Sequence, residues 1–187
     1  MHNYLEIYYF IDKFNLKELS TITAKVNIIF RDYSKDYDKE EIIKTQILCK
    51  KKGFKLFLAN NLKLAIKLNL DGVYLPAFNK ILNYKNVLSY KKFKIIGSAH
   101  SIREVKIKEK QNCERIFIAP LFKTEKNKDF LGITKFNLIA NSTKKNVVCL
   151  GGIDLDNLKK IKLTKSNGIA SISWIKKNGL NKNLGRF

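Results

Sequence analysis

A small set of polar residues sits just after short apolar runs: Arg31, Asn60-Asn61, Ser98-Ala99-His100-Ser101, Ala119 through Lys128, Gly151-Gly152 and Ser171-Ile172-Ser173. Arg31 has the fork geometry to hold a carboxylate or diphosphate through two parallel hydrogen bonds; its plainer role is a surface ion pair with Asp32 or Asp36. Asn60 can donate an amide hydrogen to the same anion, or the pair can simply cap the next helix through Asn61. Thr124, Lys126 and Lys128 stand on a segment long enough to fold over a bound ligand, or to serve as a solvated linker. His100 is one of two histidines and the only one inside the patterned region. It either shuttles a proton near neutral pH or bonds locally with Ser98 or Ser101 and steadies its loop.

Gly151 and Gly152 let the backbone approach a ligand closely and turn amides towards an anion. Ser171-Ile172-Ser173 precedes one last helical turn, whose free amides also favour phosphate. No His or Cys cluster has metal-ligand spacing, and no Ser-His-Asp arrangement can be defended from spacing.

The elements that must position these residues alternate between strand and helix. Strands are predicted at Leu5–Ile11, Val26–Phe30, Phe54–Ala59, Gly72–Leu75, Phe93–Ile96 (closed by Gly97-Ser98), Arg115–Ala119, Val147–Leu150 and Gly168–Ile172. Between them helices are predicted from Leu16 to Thr23, Asp38 to Lys52 with Gly53 as C-cap, Leu62 to Leu68, weakly from Ile81 to Ser89, and from Ser101 to Lys110. Two more run from about Thr134 to Ser142 and from an Asp154 cap through Ile161. Ser101 with Glu104 reads as a capping box.

Eight strand–helix units with short connections fit an α/β protein, a trimmed (β/α)₈ TIM barrel, in which the polar turns share the C-terminal face of the strands. A doubly wound open sheet is the alternative. At 187 residues the chain is expected to form one domain, 1–187, short beside the roughly 250 residues usual for such barrels. The eighth helix is largely missing, and 176–187 reads as a loose C-terminal tail. Apolar surface left there invites a partner subunit through Trp174, Leu180 and Phe187, so a homodimer is one expectation. The phosphate pocket is expected between the seventh and eighth strand ends, from Gly151, Gly152, Ile172 and Ser173.

A hydrophobic content of 45% fits a folded chain. The formal charge of +21 raises the question of nucleic acid, but all of the 37 basic residues except Arg31, Arg103, Arg115 and Arg186 are Lys. They are spread over nearly every helix, and base-edge reading relies on Arg, so a Lys-rich solvent surface is expected and nucleic acid is not. Cys49, Cys113 and Cys149 are isolated and lie in or beside apolar patterns, which suits buried thiols in a reducing compartment and a cytoplasmic location. No run approaches the ~18 apolar residues of a membrane span, and the strand-like start leaves no signal peptide expected.

The same residues resemble the thiamine phosphate synthase and TenI (thiazole tautomerase) family. Arg31-Asp32-Tyr33 is similar to the family's Arg-Glu-Lys, Asn60-Asn61 to its Asn-Asp, and Asp71-Gly72-Val73-Tyr74-Leu75 to its Asp-Gly-Val-His-Leu. Ser98-Ala99-His100-Ser101 resembles Ser-x-His-Ser, and Pro120-Leu121-Phe122-Lys123-Thr124 resembles Pro-Val-Phe-Pro-Thr; Gly151-Gly152-Ile153 and Ala170-Ser171-Ile172-Ser173 complete the set, in order, over Ile7 to Ile175. The resemblance implies coupling of a hydroxymethylpyrimidine diphosphate to a thiazole phosphate, giving thiamine phosphate, with magnesium holding the departing pyrophosphate. It implies that Arg31, Asn60, Lys126 and Lys128 address the diphosphate. Thr124, Gly152, Ile172 and Ser173 hold the thiazole phosphate, and Ser98 lies beside the pyrimidine.

This sequence also departs from the family. The two magnesium-binding aspartates look like Asn61 and Asn79, which offer a carbonyl oxygen without charge and weaken magnesium. The Lys of Arg-Glu-Lys is Tyr33, and the later loop Lys aligns with Asn127. Three functions stay open: a weak or divergent synthase; a metal-independent TenI-like tautomerase with His100 as acid–base group and Arg31 on the carboxylate, although the second His of TenI-like proteins is Ala119-Pro120 here; and a non-catalytic thiazole- or thiamine-phosphate binding protein.

Overall fold

The computed structural model describes residues 5–33, 37–82, 84, 92–125 and 128–171. Eight parallel strands close into a barrel in chain order: β1 (Glu6–Ile11), β2 (Asn27–Phe30), β3 (Lys55–Ala59), β4 (Gly72–Leu75), β5 (Lys94–Ala99), β6 (Arg115–Ile118), β7 (Asn146–Leu150) and β8 (Gly168–Ser171). The last strand returns to the first, with Tyr8 beside Ala170 and Tyr9 beside Ser171. This closure removes the open-sheet alternative. The helices are α1 (Leu16–Thr21), α2 (Lys39–Lys52), α3 (Leu62–Lys67), α4 (Ile102–Lys110) and α5 (Gly132–Ala140), with a 3-10 helix at Leu158–Leu163.

Strand alternation divides the core in two. Outward residues such as Ile7, Tyr9, Ile28, Leu56, Val73, Ile116 and Cys149 pack under the helices. Inward residues (Tyr8, Phe10, Ile29, Phe57, Tyr74, Ile96, Phe117 and Val148 among them) form a separate cluster that fills the barrel. Its rings meet edge to face: Tyr8–Phe117 at 4.8 Å, Phe10–Tyr74 at 5.2 Å and Tyr74–Phe117 at 5.6 Å between centroids. Such contacts satisfy the ring quadrupoles while filling volume.

At the N-terminal end of the barrel, Glu6 on β1 and Arg115 on β6 form a two-pronged ion pair, Nε to Oε2 at 2.7 Å and Nη2 to Oε1 at 2.8 Å. Tyr8 donates to the same carboxylate at 2.9 Å. The Arg115 hydrogen bonds hold the Glu6 carboxyl below the usual carboxylate range.

Helix boundaries follow their caps. Asp38 accepts from the amides of Glu40 and Glu41, and Gly53 ends α2 at φ 69°, a left-handed value that favours glycine. Ser101 accepts from Glu104, but the Glu104 carboxylate reaches the amide of His100 at 2.6 Å, one residue before the expected box partner.

Three expectations change. Gly97 and Ser98 lie inside β5, because Gly97 is a packing residue there: a Cβ would stand 2.8 Å from the Leu75 carbonyl. Asp154 caps a turn with Asn157, each side chain accepting from the other's amide, and a 3-10 helix follows in place of an α-helix. The helix expected at Ile81–Ser89 falls mainly outside the described residues, and Ile81, Leu82 and Tyr84 are not helical. The three cysteines are free and buried, and among the described residues no helix is long and apolar enough to cross a membrane.

Candidate functional site

Arg31 follows β2 in step with inward-facing Ile29, so strand parity carries its side chain to the mouth. Its guanidinium lies 4.7 Å from the centroid of the Phe10 ring, an attractive cation–π distance. Among the described residues it makes no ion pair; Asp36 is outside them. Beside it a cavity of ≈ 110 Å³ opens between β1 and α1, walled by Phe10, Asp12, Lys13 and Arg31. On the other side Tyr33 meets Phe78 edge to face at 5.7 Å. This contact joins the ends of β2 and β4, and so passes the end of β3 that lies between them in the barrel.

At that β3 end Asn60 takes φ 56°, a left-handed conformation that Asn tolerates better than most residues. Its Oδ1 accepts from Asn79 Nδ2 at 2.7 Å. Asn61 is the N-cap of α3, its Oδ1 accepting from the Leu64 amide at 3.0 Å. Asn79 Oδ1 accepts from the Ile81 amide at 3.1 Å, the Tyr84 hydroxyl at 3.1 Å and Gln111 Nε2 at 3.2 Å. A hard divalent cation needs several available oxygens, preferably charged. Both candidate oxygens are uncharged and already held by donors of the chain, so Asn61 and Asn79 do not fit magnesium. Among the described residues no group of three or more His, Cys, Asp or Glu could hold a metal ion.

Behind Asn79 lies a residue that the sequence did not single out. Lys108 on α4 is wholly buried, and its ammonium donates to Pro76 O at 2.8 Å, Asn79 O at 3.0 Å and Gln111 Oε1 at 2.9 Å. Three donors meet three acceptors. Burial pushes its pKa down to about 8. Gln111, also wholly buried, donates to Asn79 O at 3.0 Å and Ile81 O at 2.8 Å. Val105, Lys108 and Gln111 follow one another at three-residue spacing, so a lysine and a glutamine on the apolar face of a helix were the available sign.

Ser98 on β5 is inward-facing and buried. It neighbours the fully buried Tyr74 phenol, which burial lifts well above its usual range against the pull of Ser98. His100 Nδ1 lies 2.7 Å from the Ala119 carbonyl oxygen. A carbonyl only accepts, so Nδ1 carries the hydrogen and, in the neutral ring, Nε2 keeps the lone pair. The ring thereby ties the β5 end to the β6 end, and its partner is Ala119 instead of Ser98 or Ser101.

The β6 and β7 ends are joined by Leu121 N to Leu150 O at 2.9 Å and Phe122 N to Gly151 O at 3.1 Å. Gly151 and Gly152 take φ 97° and 67°. A Cβ on Gly152 would stand 2.3 Å from the Lys123 carbonyl, so close approach of the β6 loop requires that glycine whether or not a ligand binds. The amides of Gly152 and Ile153 donate to no acceptor among the described residues. Leu150 pairs with Ala170, which brings these amides to the end of β8. Thr124 is half-buried and Lys128 exposed on the β6 loop; Lys126, Ile172, Ser173, Trp174, Leu180 and Phe187 lie outside the described residues.

The family model for thiamine monophosphate synthase matches residues 19–175. The chain belongs to this family. A thiamine-phosphate synthase of Prochlorococcus marinus is 36% identical over 125 residues, covering 64% of this chain and 36% of that protein. One from Helicobacter pylori is 28% identical over 142 residues, covering 73% and 64%. The first of these matches therefore takes in about a third of the relative's length, and the second just under two thirds. A solved thiamine phosphate pyrophosphorylase from Pyrococcus furiosus shares the fold with a TM-score of 0.75 at 21% identity, over 95% of this chain and 90% of its own.

Proposed function

We propose that the chain binds a thiazole phosphate and a hydroxymethylpyrimidine diphosphate at the barrel mouth and joins them as a thiamine phosphate synthase does, in the cytoplasm. The family match over 19–175 carries this reading; the open Gly152 and Ile153 amides and the mouth-facing Arg31 support it. In the coupling, the carbon–oxygen bond to the diphosphate breaks, the thiazole bonds to the same carbon, and pyrophosphate leaves. No protein nucleophile enters this balance.

The roles are those the family resemblance implies, and each group has a donor that suits its role. Arg31 offers a bidentate, permanently charged grip on the diphosphate, and Asn60 adds an uncharged donor beside it. Gly152 and Ile153 amides, with Thr124, Ile172 and Ser173, hold the thiazole phosphate, and Ser98 hydrogen-bonds the pyrimidine. Lys126 and Lys128 meet the diphosphate from the β6 loop. Holding both partners in place removes much of the entropic barrier, and fixed donors stabilise the charge that builds on the leaving group. Asn61 and Asn79, whose oxygens are already held by donors of the chain, do not supply ligands for magnesium. Neither the tautomerase nor the binding-only function gains an observation of its own.

The deciding experiment is calorimetric titration with thiazole phosphate and with a non-hydrolysable pyrimidine diphosphate analogue, each with and without magnesium, followed by assay for thiamine phosphate. Binding of both, with product formed, is expected. Binding of neither ends the assignment.

A further inference from the structure

We propose that Lys108 is a positioning residue that, together with the Asn79 and Ile81 carbonyls and the Ile81 amide, fixes the polarity of a relay of side-chain amides ending on Asn60, so that this side of the mouth presents hydrogen-bond donors to an anionic ligand without a divalent cation. The inference rests on reading the mouth as a site for phosphorylated ligands.

The direction of each link is fixed by groups that have no choice. An ammonium only donates, so the Gln111 oxygen must face Lys108. The Gln111 nitrogen then faces two backbone carbonyls, Asn79 O and Ile81 O, which only accept. The Ile81 amide only donates, and it holds the Asn79 oxygen; Gln111 and the Tyr84 hydroxyl bond the same atom. Asn79 Nδ2 is therefore turned to Asn60 and donates to its Oδ1. Asn60 is left with its amide hydrogens directed away from Asn79, at an exposed strand end, with no acceptor for them among the described residues. Aligned hydrogen bonds polarise one another in low-dielectric surroundings, and Lys108 and Gln111 are both wholly buried.

The arrangement also explains the substitution pattern. A carboxylate at position 79 could not donate to Asn60, and one at position 61 would add negative charge where the relay ends in donors. Asparagine at both positions suits an edge that meets the anion directly. Position 108 needs an ammonium because a neutral apolar side chain would leave two carbonyls and the Gln111 oxygen unpaired in the interior.

The test titrates the full chain with inorganic pyrophosphate and with thiazole phosphate, in EDTA and in magnesium. Pyrophosphate is expected to bind in EDTA, and loss of one oriented donor in Gln111→Glu to weaken it about tenfold. The glutamate still accepts from Lys108 but cannot donate to the Asn79 and Ile81 carbonyls. Thiazole phosphate affinity in that variant should stay within about twofold, a split that general unfolding would not give. Pyrophosphate binding that disappears in EDTA and returns with magnesium overturns the proposal, as does a Gln111→Glu variant equal to the unaltered chain. If neither ligand binds under any condition, the phosphorylated-ligand reading fails and the donor edge with it. The relay is then checked separately by exchange of the side-chain amide protons of Gln111 and Asn79. Slow exchange in the unaltered chain that accelerates at least tenfold in Lys108→Met supports the relay; exchange at the rate of an exposed amide in the unaltered chain overturns it.

Discussion

Arg31 and Gly152 are the two positions where one atom group decides most. Arg31→Lys keeps the charge but loses the planar fork. Affinity for the pyrimidine diphosphate analogue should fall about tenfold, near the value of one charge-assisted hydrogen bond, with little change in melting temperature. Gly152→Ala combines a left-handed φ, about 1–2 kcal/mol for an L side chain, with a Cβ 2.3 Å from the Lys123 carbonyl. Both the urea midpoint and thiazole phosphate affinity should drop, because the β6 and β7 loops can no longer meet as they do. The places of Arg31, Asn60 and Gly151-Gly152 at the strand ends were legible because each directly follows an apolar run. Lys108 was harder to see: its three-residue spacing from Val105 and Gln111 was the one local sign, and in a Lys-rich chain it does not stand out. The roles of Asn61 and Asn79 were hidden for a related reason: an amide oxygen can ligate, cap or accept, and only its neighbours decide.

The elements show where periodicity succeeds and where it fails. All eight strands were readable, since their alternation had to serve both the aromatic interior and the helix-facing layer. The segment after Asp154 was misread as an α-helix: its apolar residues Leu158 and Ile161 are three apart and both buried, a spacing that a 3-10 turn also satisfies. Caps make element stability testable. Asp38→Ala removes the acceptor for two α2 amides and should lower stability by about 1 kcal/mol in urea denaturation. The Glu6–Arg115 pair, which links β1 to β6 at the N-terminal end, should show in the acid limb. Glu6 has a folded pKa below its ordinary value, so its contribution is complete above the unfolded pKa and is lost as pH falls through the folded one. Glu6→Gln should flatten the decline in melting temperature below about pH 4.5, and, because the pair is partly exposed, cost about 1 kcal/mol or less near neutrality.

At the scale of the whole molecule, a charge of +21 on 187 residues opposes compaction. Raising sodium chloride from about 0.02 M to 0.3 M shortens the Debye length several-fold, so the melting temperature should rise; a fall would show that attractive pairs outweigh the repulsion. The barrel could be inferred from order and spacing, whereas its closure required the β1–β8 register. The ring-filled interior has a kinetic corollary. A cylinder stoppered by Tyr8, Phe10, Tyr74 and Phe117 has a single doorway, so traffic in and out must queue. Any molecule that enters at the strand ends has to leave by the way it came, because the packed rings offer no passage through the barrel.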